Sequence, residues 1–353
     1  MNMKKPKTNH AAALVAAAFT LGAATAFGAT PGSQIIDMST VTVGDIGNAA
    51  DGTTGYGAVS YEYQIGKYEV TNAQYAAFLN AVDSTGANTL ALYNSNMGSN
   101  AYGGITLNSG GADGSKYEVK AGYGLKPVNF VSIYDAMRFT NWLTTGGTET
   151  GVYNLLGGGA TPDNGTTVIR TLDVIPGTLW AVASEDEWYK AAYYDGNDAG
   201  TYRTYPVTGT LKKGTNVNGG TANYYSVGYV FPNNGPLGDG GRIADVDHYD
   251  LVEGASSFYR TYQQGGNVRE LNDTIISGTA RGMRGGSFAN FDFDIVSSAR
   301  KNTVNESSGT GFRVVSLSSL AAVPEPGAYA ATMGLLMLII GMWIRRGRRA
   351  GRG

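Results

Sequence analysis

The chain has 353 residues, of which 15% are charged, 52 are glycine and none is cysteine. Three of the 26 basic residues precede residue 27 and five follow residue 344, so residues 27–326 carry 18 basic and 28 acidic residues, a formal charge of −10. This balance disfavours nucleic acid and anionic lipid as partners, because both require compensating lysine and arginine. It is compatible with divalent cations. Without disulfides, stability must come from a hydrophobic core or from bound ions.

The first 26 residues have the features of a cleaved export signal. Three lysines among the first seven residues precede a run of small apolar residues, which ends at the Ala-Thr-Ala triplet of residues 24–26. A basic start, an apolar middle and small residues at the end are what a signal peptidase recognises. We therefore predict that the protein is exported, and we assign residues 27–59 to an N-terminal extension.

Three short helices are predicted by one capping pattern, in which a serine or threonine stands three residues before a glutamine, aspartate or glutamate. The pairs are Thr71 with Gln74, Ser132 with Asp135, and Ser184 with Glu187. In such a pair, side chains and backbone N–H groups at the start of a helix satisfy one another. Apolar residues then follow at helical spacing, and we interpret their aromatic side chains as core residues.

Short strands are predicted among long irregular segments. The strand-like runs are residues 63–70, the stretch around Val168 and Ile169, residues 179–182, and residues 312–317. The segments between them are rich in glycine, asparagine and serine, and such long loops in one domain are usually functional or ordered by ions. The pattern indicates a loop-rich α+β domain with few helices and short antiparallel strands.

The C-terminal end combines three features in a fixed order. A Val-Pro-Glu-Pro motif at residues 323–326 precedes an uncharged apolar segment, 327–344, and five arginines follow within residues 345–353. Eighteen helical residues span about 27 Å, which just crosses a bilayer core. The basic flank is typical of a cytoplasmic tail. An ordinary single-span membrane anchor would account for the apolar segment and its flank.

The order of motif, span and basic tail resembles the PEP-CTERM sorting signal of Gram-negative envelope proteins. The resemblance implies that an exosortase recognises the tail and cuts near the motif. The protein would then be anchored in the inner membrane before processing, and would reach the cell envelope or the extracellular space afterwards.

Six motifs follow one another between residues 60 and 316. They read YQIGKYEVTNAQYAAFLNAV, KPVNFVSIYDAMRFTNWL, SEDEWYKAAYY, GGNVREL, RGGSF and GTGFRVV. In this order they resemble the formylglycine-generating enzyme, or sulfatase-modifying factor, family. The resemblance implies a single large domain over residues 60–316, with a fold related to C-type lectins and little regular secondary structure. Residues 317–326 would be a linker that contains the PEP motif.

The resemblance does not extend to the redox centres of that family. Active members oxidise a sulfatase cysteine to formylglycine with copper held by two cysteines, which lie between the RGGS motif and the arginine before GFR. The matching stretch here, 285–300, is shorter, and Asn290 stands near the first cysteine position. Thiolates suit copper(I), and this chain has none. Related sulfoxide synthases hold iron with three histidines, whereas only His248 remains after the signal. We expect neither a copper nor an iron site.

Structural calcium is the cofactor that the resemblance implies. In the segment QQGGNVREL, the carbonyls of Gly266 and Val268 and the carboxylate of Glu270 match family ligands, with Gln263 at a position that is usually asparagine. These oxygen donors suit a hard cation, although Arg269 introduces charge repulsion where the family has tryptophan. A purely structural turn is the alternative. A second calcium segment is matched more weakly by Asn223 and Tyr224.

Two main functions remain open from the sequence. The first is a surface binding or structural module, with extracellular polysaccharide as a candidate ligand, because aromatic faces stack on sugars and amides bond hydroxyls. The second is an enzyme with non-cysteine chemistry around Arg284, Asp292 and Arg300. In the alternative interpretation, Arg284, Arg300 and Arg313 only bond loop carbonyls inside the domain. A passive matrix component is a third possibility.

Overall fold

The computed structural model describes residues 30–172, 177–196, 200–212, 221–225, 243–303 and 305–318. The predicted export signal, the Val-Pro-Glu-Pro motif, the apolar segment 327–344 and the arginine tail all lie outside the described residues. Within the described ranges, no helix is both long enough and apolar enough to cross a membrane.

The described residues form four α-helices and ten strands. The helices are α1 (Asn72–Val82), α2 (Asn96–Ser99), α3 (Ile133–Thr145) and α4 (Glu185–Tyr193). The strands are β1 (Thr40–Val43), β2 (Tyr63–Gly66), β3 (Ile105–Leu107), β4 (Tyr117–Val119), β5 (Thr178–Val182), β6 (Arg269–Ser277), β7 (Ala280–Arg284), β8 (Lys301–Thr303), β9 (Thr310–Phe312) and β10 (Val314–Ser318). The prediction of a mixed fold with few helices and short strands is confirmed.

Two four-stranded sheets organise the domain. The first has the order β1-β2-β10-β5 and is antiparallel throughout, and the second has the order β8-β7-β6-β9 with β6 and β9 parallel. Strands β3 and β4 form a separate antiparallel pair. Only Arg313 separates β9 from β10, so this residue lies where the chain passes from one sheet to the other.

The segment before residue 60 packs closely on the rest of the domain. Its strand β1 pairs with β2, and the side chain of Gln74 in α1 donates to the carbonyl of Asp37 at 2.9 Å. A β-carbon on Gly32 would lie 2.4 Å from the indole ring of Trp142 in α3. This extension is thus held by both a sheet edge and a helix.

The three predicted capping boxes are all present. In each, the serine or threonine side chain accepts from the backbone N–H three residues on, and the partner side chain accepts in return from the N-cap backbone. The aromatic residues that follow form the core, as predicted. Phe78 and Phe139 lie with ring centroids 5.4 Å apart, and Phe139 contacts Trp142 and Phe312 at 5.8 and 5.4 Å. Phe312 of β9 thus packs against α3, next to the aromatic residues of α1.

Two of the predicted strands differ in the structure. Residues 168–169 form no strand, because Val168 turns inward and its carbonyl accepts from Arg281 at 3.0 Å, while Ile169 is 65% exposed. The run 63–70 pairs only as far as Gly66. Beyond it the chain changes direction toward α1, so the last residues of the run do not join the sheet. The hairpin of β6 and β7 was not predicted.

Asp135 in the second capping box gives the stability of the fold a pH dependence. Its side chain is 1% exposed, and burial, with the nearby Glu306 adding to it, raises the pKa from 3.8 to about 8. Between these values the folded protein keeps a proton that the unfolded chain has lost. The free energy of unfolding therefore declines as the pH rises through this interval.

Replacing Asp135 by asparagine should reduce that decline. The amide oxygen can still accept from the Ser132 N–H, which lies 2.8 Å from the carboxylate, but no charge has to be buried. We expect Asp135→Asn to lose less stability than the wild type between about pH 5 and about pH 8. Urea unfolding across that range measures this, and equal slopes for the two proteins would contradict the assignment.

Candidate functional site

Arg284 lies buried at the end of β7, where the protein engages its guanidinium. It donates to the carboxylate of Glu185, and to the carbonyls of Ser297 at 2.7 Å and Ala299 at 2.9 Å. Arg300 donates to the other oxygen of Glu185 at 3.1 Å. The structure therefore brings Arg284 and Arg300 together on one carboxylate of α4. Because Arg284 is only 2% exposed, it offers little surface to a substrate.

Two tyrosines complete the surroundings of this arginine pair. The Arg284 guanidinium lies 4.9 Å from the ring centroid of Tyr56 and 4.8 Å from that of Tyr189, and Arg300 lies 5.2 Å from Tyr56. At such distances an aromatic face attracts a cation. The arginines thus join the N-terminal segment, α4 and the loop after β7.

Asp292 lies apart from the two arginines. It is exposed on the short 3-10 helix Asp292–Asp294, and its carboxylate accepts from the backbone N–H of Phe293 at 2.9 Å. Among the described residues, no hydrogen bond or ion pair joins Asp292 to Arg284 or Arg300. Arg284 and Arg300 thus meet on Glu185, whereas the Asp292 carboxylate bonds within its own turn.

The same loop carries two exposed aromatic rings, Phe291 and Phe293, and the partly buried Tyr225 of residues 221–225 lies against them; we call these three residues the aromatic surface. Phe291 and Phe293 are 40% and 63% exposed, and their rings stack at 5.4 Å with an interplanar angle of 18°. Tyr225 meets Phe291 edge-on at 4.7 Å. Apolar rings that remain exposed side by side are typical of a contact surface.

The base of this loop is firmly fixed. Ser287 donates to the side chain of Asn290 at 2.6 Å, and the Asn290 carbonyl accepts from the Tyr225 N–H at 2.7 Å. Ile295 is fully buried, and its carbonyl accepts from the Tyr193 hydroxyl at 2.7 Å. The exposed rings are therefore held on a loop whose two ends are bonded to buried structure.

Arg313 and Glu270 form a buried ion pair between the two sheets. Arg313 donates to both Glu270 oxygens, at 2.9 and 2.8 Å, and also to the carbonyls of Gly66 and Tyr262. The indole of Trp188 donates a further bond to Glu270 at 2.7 Å. Both charged side chains are 0% exposed. The pair is thus a structural contact that joins β2, β6, α4 and the β9–β10 link.

The two segments predicted to bind calcium lie side by side. Asn223 forms a bridge with Gly266, its carbonyl accepts from the Asn267 N–H at 2.7 Å, and its side chain donates to that of Asn267 at 3.1 Å. Gln263 donates to the carbonyl of Asp245 at 2.7 Å and keeps its own side-chain oxygen buried without a hydrogen-bond partner among the described residues. An oxygen in that state suits a cation.

Glu270 fits a calcium site less well than Gln263 does. Arg313 and Trp188 already engage its two oxygens, and the charge of Arg313 opposes a nearby cation. No group of three or more acidic, histidine or cysteine side chains that could hold a metal ion occurs among the described residues. A calcium ion here would therefore depend on carbonyl and amide oxygens for most of its coordination.

Two carboxylates that no sequence motif singles out as site residues are central in the structure. Glu185 holds both arginines, and Glu69, at the end of the β2 run, is 2% exposed with one oxygen that lacks a hydrogen-bond partner in the described part of the chain. Burial raises the pKa of Glu69 well above its ordinary value, against the opposing effect of Arg313. A sequence signal existed for Glu185, which is the first residue of a capped helix. None existed for Glu69, because its neighbours are distant in the chain.

Comparisons with known proteins give one matching family model and three distant structural likenesses. A family model described as "Sulfatase-modifying factor enzyme 1-like domain" matches residues 27–317. Treponema denticola variable protein 1 is 19% identical with a TM-score of 0.46, covering 79% of this chain and 94% of its own. CarF is 18% identical with a TM-score of 0.46, covering 79% and 97%. PvdO from Pseudomonas aeruginosa is 17% identical with a TM-score of 0.40, covering 79% and 90%. No curated protein matches the sequence.

Proposed function

The chain belongs to the sulfatase-modifying factor family, and on that premise we propose that it is an exported, cysteine-free member that binds extracellular polysaccharide through the aromatic surface. The observation that carries this proposal is the pair of stacked, exposed rings of Phe291 and Phe293 beside Tyr225. Aromatic faces stack on the apolar faces of sugar rings.

The fixed base of the loop supports this function. A binding surface that is already ordered before the ligand arrives loses less conformational entropy on binding. The bonds of Asn290 and Ile295 hold the loop at both ends. The formal charge of −10 over residues 27–326 favours a neutral or basic polysaccharide over an acidic one, because like charges repel.

Export and sorting form part of the same proposal. The features of residues 1–26 and of the tail support secretion followed by exosortase processing, which would deliver the domain to the envelope or the exterior, where polysaccharide is found. The relation to C-type lectins that the family resemblance implies would be consistent with a carbohydrate ligand. It remains a prediction, as fold does not determine function.

Calcium would have a structural role in this proposal. The buried side-chain oxygen of Gln263, the carbonyls of Gly266 and Val268 and the adjoining Asn223 supply oxygen donors of the type that calcium prefers. Glu270 would contribute only by sharing an oxygen with Arg313. A bound ion would hold together the two segments at the foot of the aromatic loop. Calorimetric titration of the full chain with calcium measures whether such an ion binds.

Replacing Phe293 by alanine should weaken polysaccharide binding. Phe293 is the most exposed ring of the surface, and loss of one stacked aromatic contact costs about 1 kcal/mol or more, which is a roughly fivefold or larger rise in Kd. From a panel of neutral and amino-sugar polymers, we expect at least one to slow the migration of the full chain through the gel. The same polymer should slow the Phe293→Ala variant less. Affinity electrophoresis in polysaccharide-containing gels measures both.

Phe258 provides a matched control for this experiment. It is 40% exposed, like Phe291, but lies elsewhere, against Tyr194 and Tyr259. Phe258→Ala should leave the retention unchanged. The proposal is wrong if Phe258→Ala and Phe293→Ala reduce polysaccharide binding equally. It is also wrong if no polymer slows the wild-type protein.

A further inference from the structure

A second candidate site lies on a different part of the domain. A cleft of about 380 Å³ opens between the start of α1 and residues 245–250. Four acidic side chains line it, namely Asp37, Glu69, Asp247 and Asp250. Carboxylates on several walls of one cleft attract cations.

Glu69 indicates that this cleft has a ligand. Its side chain is 2% exposed, and one oxygen, Oε1, accepts from Asn267 at 3.1 Å. The other oxygen, Oε2, has no hydrogen-bond partner among the described residues. A buried carboxylate oxygen without a donor is costly, and such groups are usually satisfied by a bound partner.

The protein already binds one ammonium group beside this cleft. Lys67 donates to Asp250 Oδ2 at 2.9 Å, and its Nζ lies 4.8 Å from the ring centroid of Tyr68 and 5.1 Å from that of Tyr262. The second oxygen of the same carboxylate, Asp250 Oδ1, is buried and has no partner within the described ranges. Carboxylate oxygens and aromatic faces together are a suitable environment for an ammonium ion. Asp250 Oδ1 and Glu69 Oε2 can therefore accept from further ammonium groups.

The spread of the acids favours an organic cation over a metal ion. In the part of the chain that the structure describes, no three acidic side chains are close enough together to hold one metal ion. The cleft also has apolar wall residues, Ala73, Leu125 and Val246, which suit methylene groups. We propose that this cleft binds a linear aliphatic polyamine, with separate ammonium groups on Glu69 and Asp250 and the carbon chain against the apolar wall.

Calorimetric titration of the full chain tests this proposal, with spermidine and calcium as separate probes. We expect spermidine to bind with one site, and 1,4-butanediol, a neutral molecule with a similar carbon chain, not to bind. Sodium chloride at matched ionic strength should give no heat of binding. If spermidine fails to bind, or if 1,4-butanediol binds equally well, the proposal is wrong.

Two variants locate the binding. Glu69→Gln keeps the shape but can no longer carry a negative charge beside an ammonium group, and should weaken spermidine binding by about tenfold or more. Ala73→Lys places a tethered ammonium on an exposed position of the cleft wall, and should compete with spermidine without disturbing the core. This second variant keeps the test valid if Glu69→Gln fails to fold.

Asp113→Asn serves as the control, because this aspartate is 70% exposed in the β3–β4 connection and pairs with Lys116 at 3.5 Å. It should bind spermidine like the wild type. An equal loss in Asp113→Asn would show general charge attraction and would overturn the assignment. A calcium response that depends on Glu69, without a spermidine response, would also overturn it. The supporting result is that Glu69→Gln loses spermidine binding but binds calcium like the wild type. This would support both the polyamine cleft and a separate calcium site at Gln263.

Discussion

Replacing Glu270 by alanine is expected to destabilise the fold by about 3–5 kcal/mol, because it leaves the charge of Arg313 buried without its partner. Both side chains are 0% exposed, and Arg313 donates two bonds to the carboxylate. The indole N–H of Trp188 loses its acceptor in the same variant. Urea unfolding at constant pH measures the loss, as a lower midpoint with little change in slope.

Two further variants separate the effect of the buried charge from the effect of lost packing. Lys116→Ala breaks an ion pair whose aspartate is 70% exposed, and it should cost less than about 1 kcal/mol. Replacing Arg313 and Glu270 together by methionine and leucine should recover part of the stability lost in Glu270→Ala, since no unpaired charge remains. A loss below about 1 kcal/mol in Glu270→Ala would show that the ion pair contributes little to the stability of the fold.

Replacing Gly266 by alanine should cost about 3 kcal/mol or more, as the new β-carbon meets the neighbouring backbone directly. It would lie 2.1 Å from the carbonyl oxygen of Asn223, at a residue with φ +88°. Since two peptide segments approach each other there, the strain cannot be relieved by rotating a side chain. Thermal unfolding measures the effect as a lower Tm.

Gly122 is the matched control for that variant. It has a similar φ, +77°, but a β-carbon there would have no atom within 4 Å. Gly122→Ala therefore reports the backbone conformation alone, and should cost about 1 kcal/mol. If the two alanine variants unfold at the same temperature, the close packing of Asn223 on Gly266 does not contribute to stability. The proposal that a calcium ion joins these two segments would then lose its support.

The parts of the fold that the sequence predicted are those set by nearby residues. Each capping box is decided within four residues, as with Ser184 and Glu187, and the three helices begin where expected. The β6–β7 hairpin was missed although its pairing is local, because several of its buried positions are polar, namely Glu270, Asn272, Arg281 and Arg284, and the apolar alternation of a strand is absent. The strand expected at residues 168–169 did not form, because these residues pair with no strand in the described structure.

The candidate site shows the same division between local and distant signals. The arginines could be singled out from their motifs, but the carboxylate that binds them could not, because Glu185 and Arg284 are 99 residues apart. Nor does any local pattern reveal that Glu69 faces Asn267, which is 198 residues away. Phe291 and Phe293 differ from core aromatics only by their exposure, and exposure depends on the whole fold.

The crossing of the chain at Arg313 has a consequence for the proposed removal of the tail. Strands β9 and β10 belong to different sheets, and together with Arg313 they occupy residues 310–318. A protease that cut within them would remove a strand from the interior of the first sheet and break the domain. The Pro-Glu-Pro motif begins at Pro324, beyond the end of β10 at Ser318. Cleavage there would sever the tail while every strand of both sheets stayed in place, so the liberated domain would keep its binding surfaces.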